Sequence, residues 1–240
     1  MATQGNGVKS WSFSRWSDYN KCPYQFKKKH IDKVPEPENP AMARGTAIHT
    51  AAEDYIKGRA RTLHKELGTF KEEFKGLRDL YKTPGSGIVV EDQWAFTQQW
   101  QPSGWKDWNT TWVRIKLDCG VRLQDDETLV FKPIDWKTGK YSDYKAGEYI
   151  LQLDLYALAA FKMVPDIEEV RPVLAFTDEG VVYPKDEEPI VFYKKDEKML
   201  QNKWEQRVAP MFKDTQFKPK PGKHCDWCQH SKAKGGTCKY

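Results

Sequence analysis

Asp135-Trp136-Lys137-Thr138-Gly139-Lys140 sets an acid and a base one residue apart, just after the apolar run Leu129-Val130-Phe131 and Ile134. Such a run is β-prone, and Gly139 supplies the turn that ends it. In an extended strand, residues i and i+2 point to the same face, so Asp135 and Lys137 project together and Trp136 turns the other way. A carboxylate able to hold a divalent cation, beside an amine able to orient or deprotonate a water, suits metal-assisted hydrolysis. Alone, an Asp-x-Lys pair also occurs on solvated strand edges, so its neighbours decide.

Upstream, Trp112-Val113-Arg114-Ile115-Lys116-Leu117-Asp118 alternates apolar and polar residues as a half-buried strand does. Val113, Ile115 and Leu117 take one face, which puts Asp118 on the polar side near the strand end. Gln124-Asp125-Asp126-Glu127-Thr128 reads as the hairpin loop joining this strand to the next. An antiparallel pair of that length can bring Asp118 beside Asp135, two carboxylates around one cation. Mg²⁺ and Mn²⁺ favour such oxygen ligands. The alternative is that Asp118 is an ordinary surface aspartate.

Asp118 followed by Asp135-x-Lys137 resembles the PD-(D/E)XK nuclease superfamily, and the flanking motifs resemble its RecB-like exonuclease branch. Gly45-Thr46-Ala47-Ile48-His49 is similar to that branch's Gly-x-x-x-His helix, whose histidine contributes to the metal site. Gln152-Leu153-Asp154-Leu155-Tyr156 is similar to its Gln-x-x-x-Tyr helix, and Ser12-Phe13-Ser14-Arg15-Trp16 leading to Cys22-Pro23-Tyr24-Gln25-Phe26 to its N-terminal opening. The resemblance runs from about Trp11 to Cys238 with the motifs in order. Lys116 departs from it, since members often carry a glycine two residues before the aspartate. The resemblance implies that His49, Asp118 and Asp135 hold Mg²⁺ or Mn²⁺, with the Trp136 backbone carbonyl as an added ligand. It also implies an acid on the preceding strand, Ile88 to Phe96, where Glu91 and its neighbour Asp92 face opposite ways and Glu91 is preferred.

The helices carrying these motifs are legible without the resemblance. Ala43, Ala47, Ile48, Ala51, Ala52, Tyr55 and Ile56 recur at helical spacing, so the chain from about 41 to 57 reads as an amphipathic helix closed by Gly58. His49 and Glu53 share one face of it. A helical histidine alone is more often packing than ligand, and Glu53 reads as an exposed acid. Gln152 and Tyr156 share a face of a helix from about 146 to 163, with Leu151, Leu155, Leu158 and Ala159 as its buried stripe. Beside the Asp-x-Lys strand, Tyr156 is expected to contact substrate phosphate or base, and Gln152 to help orient the strand.

Five cysteines, Cys22, Cys119, Cys225, Cys228 and Cys238, form an odd set that argues against a disulfide scaffold and for a reducing, cytoplasmic setting. Cys225-Asp226-Trp227-Cys228, then nine residues and Cys238, is a metal-ligand spacing, and Gly235-Gly236 lets the chain fold back. Cys22 can supply a fourth thiolate. Members of the RecB-like branch, among them AddB-type subunits and CRISPR-adaptation nucleases, hold a [4Fe-4S] cluster with one N-terminal and three C-terminal cysteines, and the resemblance implies the same here. Structural Zn²⁺, drawing also on His224 or His230, is the alternative. Cys119 reads as a small buried side chain.

With 240 residues and a net charge of +5, the chain is mildly basic, which accommodates nucleic acid without requiring it. Lys27-Lys28-Lys29-His30, Arg59-Ala60-Arg61 and the stretch from Lys213 to Lys223 are either solvated faces or phosphate contacts. No apolar run approaches a membrane span. Among ten tryptophans, those in Trp100-Gln101-Pro102-Ser103-Gly104-Trp105-Lys106-Asp107-Trp108 sit in an expected loop, where they either pack beneath it or stack on bases of a single strand.

Helices are expected near 14–30, 41–57, 65–81 (with Phe70, Phe74, Leu77 and Tyr81 on one face), 146–163 and 195–212. Strands are expected near 88–99, 110–123, 128–137, 170–176 and 181–183, with a further one near 190–193. These elements predict an α/β fold with a central mixed sheet flanked by helices; the resemblance implies a restriction-endonuclease-like core whose ends the cysteines would staple. One domain is expected over residues 1–240: an N-terminal helical segment, 1–40, with Cys22; a catalytic core, 41–194; and a C-terminal helix and cysteine tail, 195–240. The expected function is a Mg²⁺- or Mn²⁺-dependent exonuclease acting on single-stranded DNA or duplex ends in phage or bacterial recombination or repair, with recombination or replication proteins as partners. Lys137 would position or deprotonate the attacking water. The alternative is a non-catalytic DNA-end-binding module.

Overall fold

The computed structural model describes residues 6–185 and 188–240. Its centre is a mixed sheet built around a long hairpin, β2 (Val113–Asp125) and β3 (Thr128–Lys137), which pair antiparallel from Cys119↔Ile134 to Asp125↔Thr128. The connection is a tight turn through Asp126 and Glu127, shorter than the five-residue loop expected, with Asp126 at φ 51°. On one side β1 (Val89–Phe96) pairs antiparallel with β2. On the other, β4 (Glu169–Val170) and β5 (Val173–Phe176) run parallel to β3 one after the other, either side of Pro172, which has no N–H to give a ladder. β6 (Val181–Tyr183) pairs with β5, and β7 (Phe192–Tyr193) with β4.

Helices cover both faces. α3 (Pro40–Ile56) and α4 (Lys71–Lys82) pack Ile48, Ala52, Ile56, Phe74 and Leu77 against Val90, Cys119, Val121, Trp136 and Ala175. α5 (Ala146–Met163) and α6 (Glu197–Lys213) pack on the other face with Trp94, Phe96, Ile115, Leu117 and Phe131. α5 is the crossover between parallel β3 and β4. It is buried almost all round from Leu153 to Phe161, not along one stripe as its spacing suggests. Residues 65–81 are a 3₁₀ turn followed by α4, and Tyr81 is exposed while Phe70, Phe74 and Leu77 are buried. In α3 only the second half is buried; Ala43 and Ala47 face solvent.

The N-terminal helix expected from 14 to 30 is broken. α1 (Phe13–Lys21) ends at Cys22, whose extended backbone (φ −158°) precedes Pro23, and α2 (Pro23–Phe26) starts there. A proline disfavours a helical backbone at the preceding residue and suits a helix's first position, so the interruption follows local chemistry. Trp11, next to α1, stacks on Trp204 of α6 at 5.3 Å and meets Trp100 and Trp112 edge-on. Trp100 is therefore core, while Trp108 is 71% exposed. No helix among the described residues is long and apolar enough to cross a membrane.

One irregularity matters for the site. The β1–β2 ladder pairs Val90 with Cys119 and Asp92 with Leu117, but leaves Glu91 and Asp118 unpaired, and Glu91 sits at φ 54°. A left-handed backbone at a residue other than glycine is strained and persists only where its surroundings enforce it. Strict alternation fails here: Leu117 packs in the α5 core and Cys119 in the α3 core. Asp118 accordingly lies mid-strand and buried, not on a polar strand end, and Cys119 does not share the core of Val113, Ile115 and Leu117.

Candidate active site

The kink aims two acids at α3. His49 Nδ1 lies 3.1 Å from Asp118 Oδ1 and 3.9 Å from Glu91 Oε1, and one ligand atom from each of His49, Glu91 and Asp118 lies within 4.8 Å of the others. Asp92 points elsewhere, accepting from the Trp94 indole at 2.8 Å and from the Gln93 amide. Gly45, one helical turn before His49, packs against the residue that follows β3: a Cβ there would stand 3.3 Å from Thr138 Oγ1. Glycine at that position therefore lets the histidine turn come down onto the strand ends.

Asp135 adds a third carboxylate, 5% exposed. The Trp136 amide donates to Asp118 Oδ2 at 2.9 Å, so β3 holds the β2 aspartate directly. The Trp136 side chain turns away and packs on Phe74 at 4.6 Å. Lys137 Nζ is 2.7 Å from Asp135 Oδ2, an ion pair between the two residues of the Asp-x-Lys strand end. Gln152 Nε2 donates to Asp135 Oδ1 at 3.1 Å and to Tyr156 Oη at 3.0 Å, and the Tyr156 hydroxyl donates in turn to Asp135 Oδ1. Both α5 residues line the cleft, and Gln152 Nε2 and the Tyr156 hydroxyl also orient Asp135.

The charges explain the titration behaviour. Burial, then the charge of Asp135, raises the Asp118 pKa, against the pull of His49 and the Trp136 amide. Burial lowers the His49 pKa, but its contact with Asp118, helped by Asp135 and Glu91, outweighs this and leaves it raised. Burial and the charges of Asp135 and Asp118 hold Tyr156 well above the ordinary phenol value, so it remains a donor. Lys116 places its ammonium on Glu91 Oε2, a contact the sequence pattern did not disclose. Glu53, expected to be an exposed acid, is half-buried and paired with Lys57 at 2.9 Å and Arg59 at 3.0 Å.

Glu91 and Asp118 gathered on the His49 imidazole form an oxygen-rich donor set that fits a hard divalent cation, while Asp135, expected as a ligand, lies outside that group and joins it through the Trp136 amide bond to Asp118. A cleft of about 610 Å³ is lined by Lys137, Gln152 and Tyr156 together with Ser10, Arg15 and Arg114; none of His49, Glu91, Asp118 and Asp135 lines it, and Asp135 reaches its wall through Gln152 and Tyr156.

The cysteines gather elsewhere. Cys22, Cys225, Cys228 and Cys238 line one small pocket, together with His224. The backbone amide of Lys220 points at Cys22 Sγ at 3.5 Å, and the Cys238 amide donates to His230 O at 2.8 Å. Gly236 packs so tightly that a Cβ there would stand 2.3 Å from the His230 carbonyl carbon, so the return of Cys238 needs glycine. His230 is buried beside Gln229 and Glu36 instead. Cys119 is buried away from this pocket, and burial pushes its thiol up to about 12.

The sequence profile of the PD-(D/E)XK nuclease superfamily matches residues 10–233, and the chain belongs to that superfamily. Membership carries nuclease chemistry on DNA, for which such proteins typically use divalent metal ions. The chain is also similar to the crystal structure of a candidate exonuclease from Eubacterium rectale, at 12% identity, covering 93% of this chain and 88% of that one, with a TM-score of 0.44. No curated protein matches it.

Proposed function

We propose that this protein is a metal-dependent DNA exonuclease of the RecB-like branch, with His49, Glu91, Asp118 and Asp135 as the ligand set and Lys137 as the catalytic amine. The observation that carries the reading is the meeting of His49, Glu91 and Asp118 within 4.8 Å, with Asp135 paired to Lys137 at 2.7 Å on the neighbouring strand. A bound Mg²⁺ or Mn²⁺ would polarise the scissile phosphate and acidify a water. The protein's own share is positional. Tyr156 and Gln152 fix the Asp135 carboxylate, the Trp136 amide fixes Asp118, and Lys137 lines the cleft, where as a neutral amine it would take the water's proton and as an ammonium it would orient the water and balance charge growing on the phosphate. The Trp136 carbonyl remains an added ligand in this proposal.

The second half of the proposal is a [4Fe-4S] cluster on Cys22, Cys225, Cys228 and Cys238. Four cysteines lining one pocket supply the donor set. Among the described residues no three of their sulfurs lie within 4.8 Å of one another, whereas four thiolates around a single Zn²⁺, at about 2.3 Å each, sit closer than that. His224 would be the added donor if zinc were bound. Anaerobic purification followed by iron and sulfide analysis separates the two metals.

The function is tested with end-labelled single- and double-stranded DNA in Mg²⁺ and in Mn²⁺. Cleavage by the wild type, lost in Lys137→Ala while DNA affinity persists, is the expected result. DNA binding with no metal-dependent cleavage by the wild type would mark an end-binding module instead. A role in phage or bacterial recombination or repair, with protein partners there, belongs to the same proposal.

A further inference from the structure

The far end of the cleft is built around one buried hydroxyl. Ser10, 6% exposed, accepts from Arg114 Nη1 at 2.8 Å and lies 3.4 Å from Arg15 Nη1, which also points at it. Arg15 Nε and Arg114 Nη2 are buried with no acceptor among the described residues. Neither guanidinium forms an ion pair among those residues. Asp18, the nearby acid, is already engaged by His30 at 2.8 Å and Lys29 at 3.0 Å.

Two guanidiniums converging on a single hydroxyl, each with an unused donor, repel one another and leave N–H groups unsatisfied at a cost. Burial, and then the charge of Arg114, depress Arg15. Nothing in the core needs this pair: Ser10 and both arginines line the open cleft, not a packed interior. An anion carrying several acceptor oxygens would resolve the repulsion and take both spare donors. The N-cap of α1, Ser12, lines the same wall, so the free amides of that first turn add positive potential. Arg114 also lies 4.3 Å from the centroid of exposed Trp108, an aromatic surface next to this arginine on which a base can stack.

We propose that Ser10, Arg15 and Arg114 form a phosphate-binding site for a backbone phosphate of the DNA strand other than the one being cut. The proposal rests on the nuclease reading, and gives the strand a second anchor along the cleft from Lys137. Free inorganic phosphate has the same chemistry, but the continuous cleft and the stacking surface favour a polynucleotide.

The test is a scan of single-stranded oligonucleotides, each with one neutral methylphosphonate at a different linkage, bound to the wild-type protein in EDTA so that nothing is cut. One linkage should stand out, its neutralisation weakening binding by about tenfold. Arg15→Gln and Arg114→Gln, confirmed folded by circular dichroism, should erase that position's penalty and each lower the salt slope by about one. A flat scan on a wild type that binds and cuts DNA overturns the site while sparing the nuclease assignment. So does a penalty unchanged in both variants, or stabilisation by inorganic phosphate that leaves oligonucleotide binding unaffected. A wild type that neither binds nor cuts DNA overturns both. The scan needs no variant to fold.

Discussion

The backbone amide of Trp136 donates to Asp118 Oδ2 while His49 meets Oδ1, so the Asp118 carboxylate is held from two sides by two different elements. A carboxylate fixed in this way enters metal binding with its rotamer already set, and no entropy is spent on aligning it. Asp118→Asn keeps the shape but replaces an acceptor oxygen with a donor facing the Trp136 amide or the imidazole. Divalent-metal affinity and cleavage should both fall by more than the roughly 10–100-fold typical of losing an outer-shell partner. Calorimetric Mn²⁺ titration beside the DNA assay checks this, and wild-type Mn²⁺ affinity in the variant would remove Asp118 from the ligand set.

Tyr156→Phe removes a hydroxyl whose hydrogen bond goes to Asp135, leaving Gln152 to hold the carboxylate alone. Mn²⁺ affinity and cleavage should drop by about 10–100-fold, with little change in DNA affinity. Were Tyr156 a substrate contact instead, DNA affinity would carry the loss.

Lys116 neutralises Glu91 by salt bridge. Lys116→Ala frees that carboxylate oxygen and removes a positive charge beside the cation site, so Mn²⁺ should bind about three- to tenfold more tightly. Weaker or unchanged Mn²⁺ binding would place Glu91 outside the metal's reach.

Asp154 ties α5 to α6 by accepting from the Trp204 indole and from Arg207 at 3.0 Å. Burial raises its pKa more than Arg207 and Trp204 lower it. A carboxyl with a raised folded-state pKa binds its proton more tightly in the fold than in the unfolded chain. Its contribution is therefore most favourable below the unfolded value of about 3.9 and declines as pH rises through the folded value. The stability lost in Asp154→Asn should thus shrink between about pH 4 and pH 7, as urea unfolding would measure. A cost that grows over that range contradicts the burial argument.

The sheet, the crossover helix and the Asp135–Lys137 pair were legible because each follows from a local period. Two-residue alternation puts Asp135 and Lys137 on one face, and four-residue spacing puts Gln152 beside Tyr156. What the sequence hid is what breaks a period or depends on distant chain. Nothing in Val90-Glu91-Asp92 announces a left-handed glutamate, so the switch of faces at Asp118 could not be anticipated. Nor does spacing reveal that Gln152 and Tyr156 bend toward Asp135, or that Arg15 and Arg114, 99 residues apart, point at the same serine. Trp100 read as a loop residue because its burial depends on Trp11 and Trp112.

The indoles of Trp11, Trp100, Trp112 and Trp204 are held close enough for their transitions to mix, so they absorb as a coupled array instead of separate chromophores. The far-ultraviolet circular dichroism should therefore carry a signed couplet from this quartet. That signal is a built-in optical gauge of whether the segment around residue 11 stays docked against the last long helix, readable without any label.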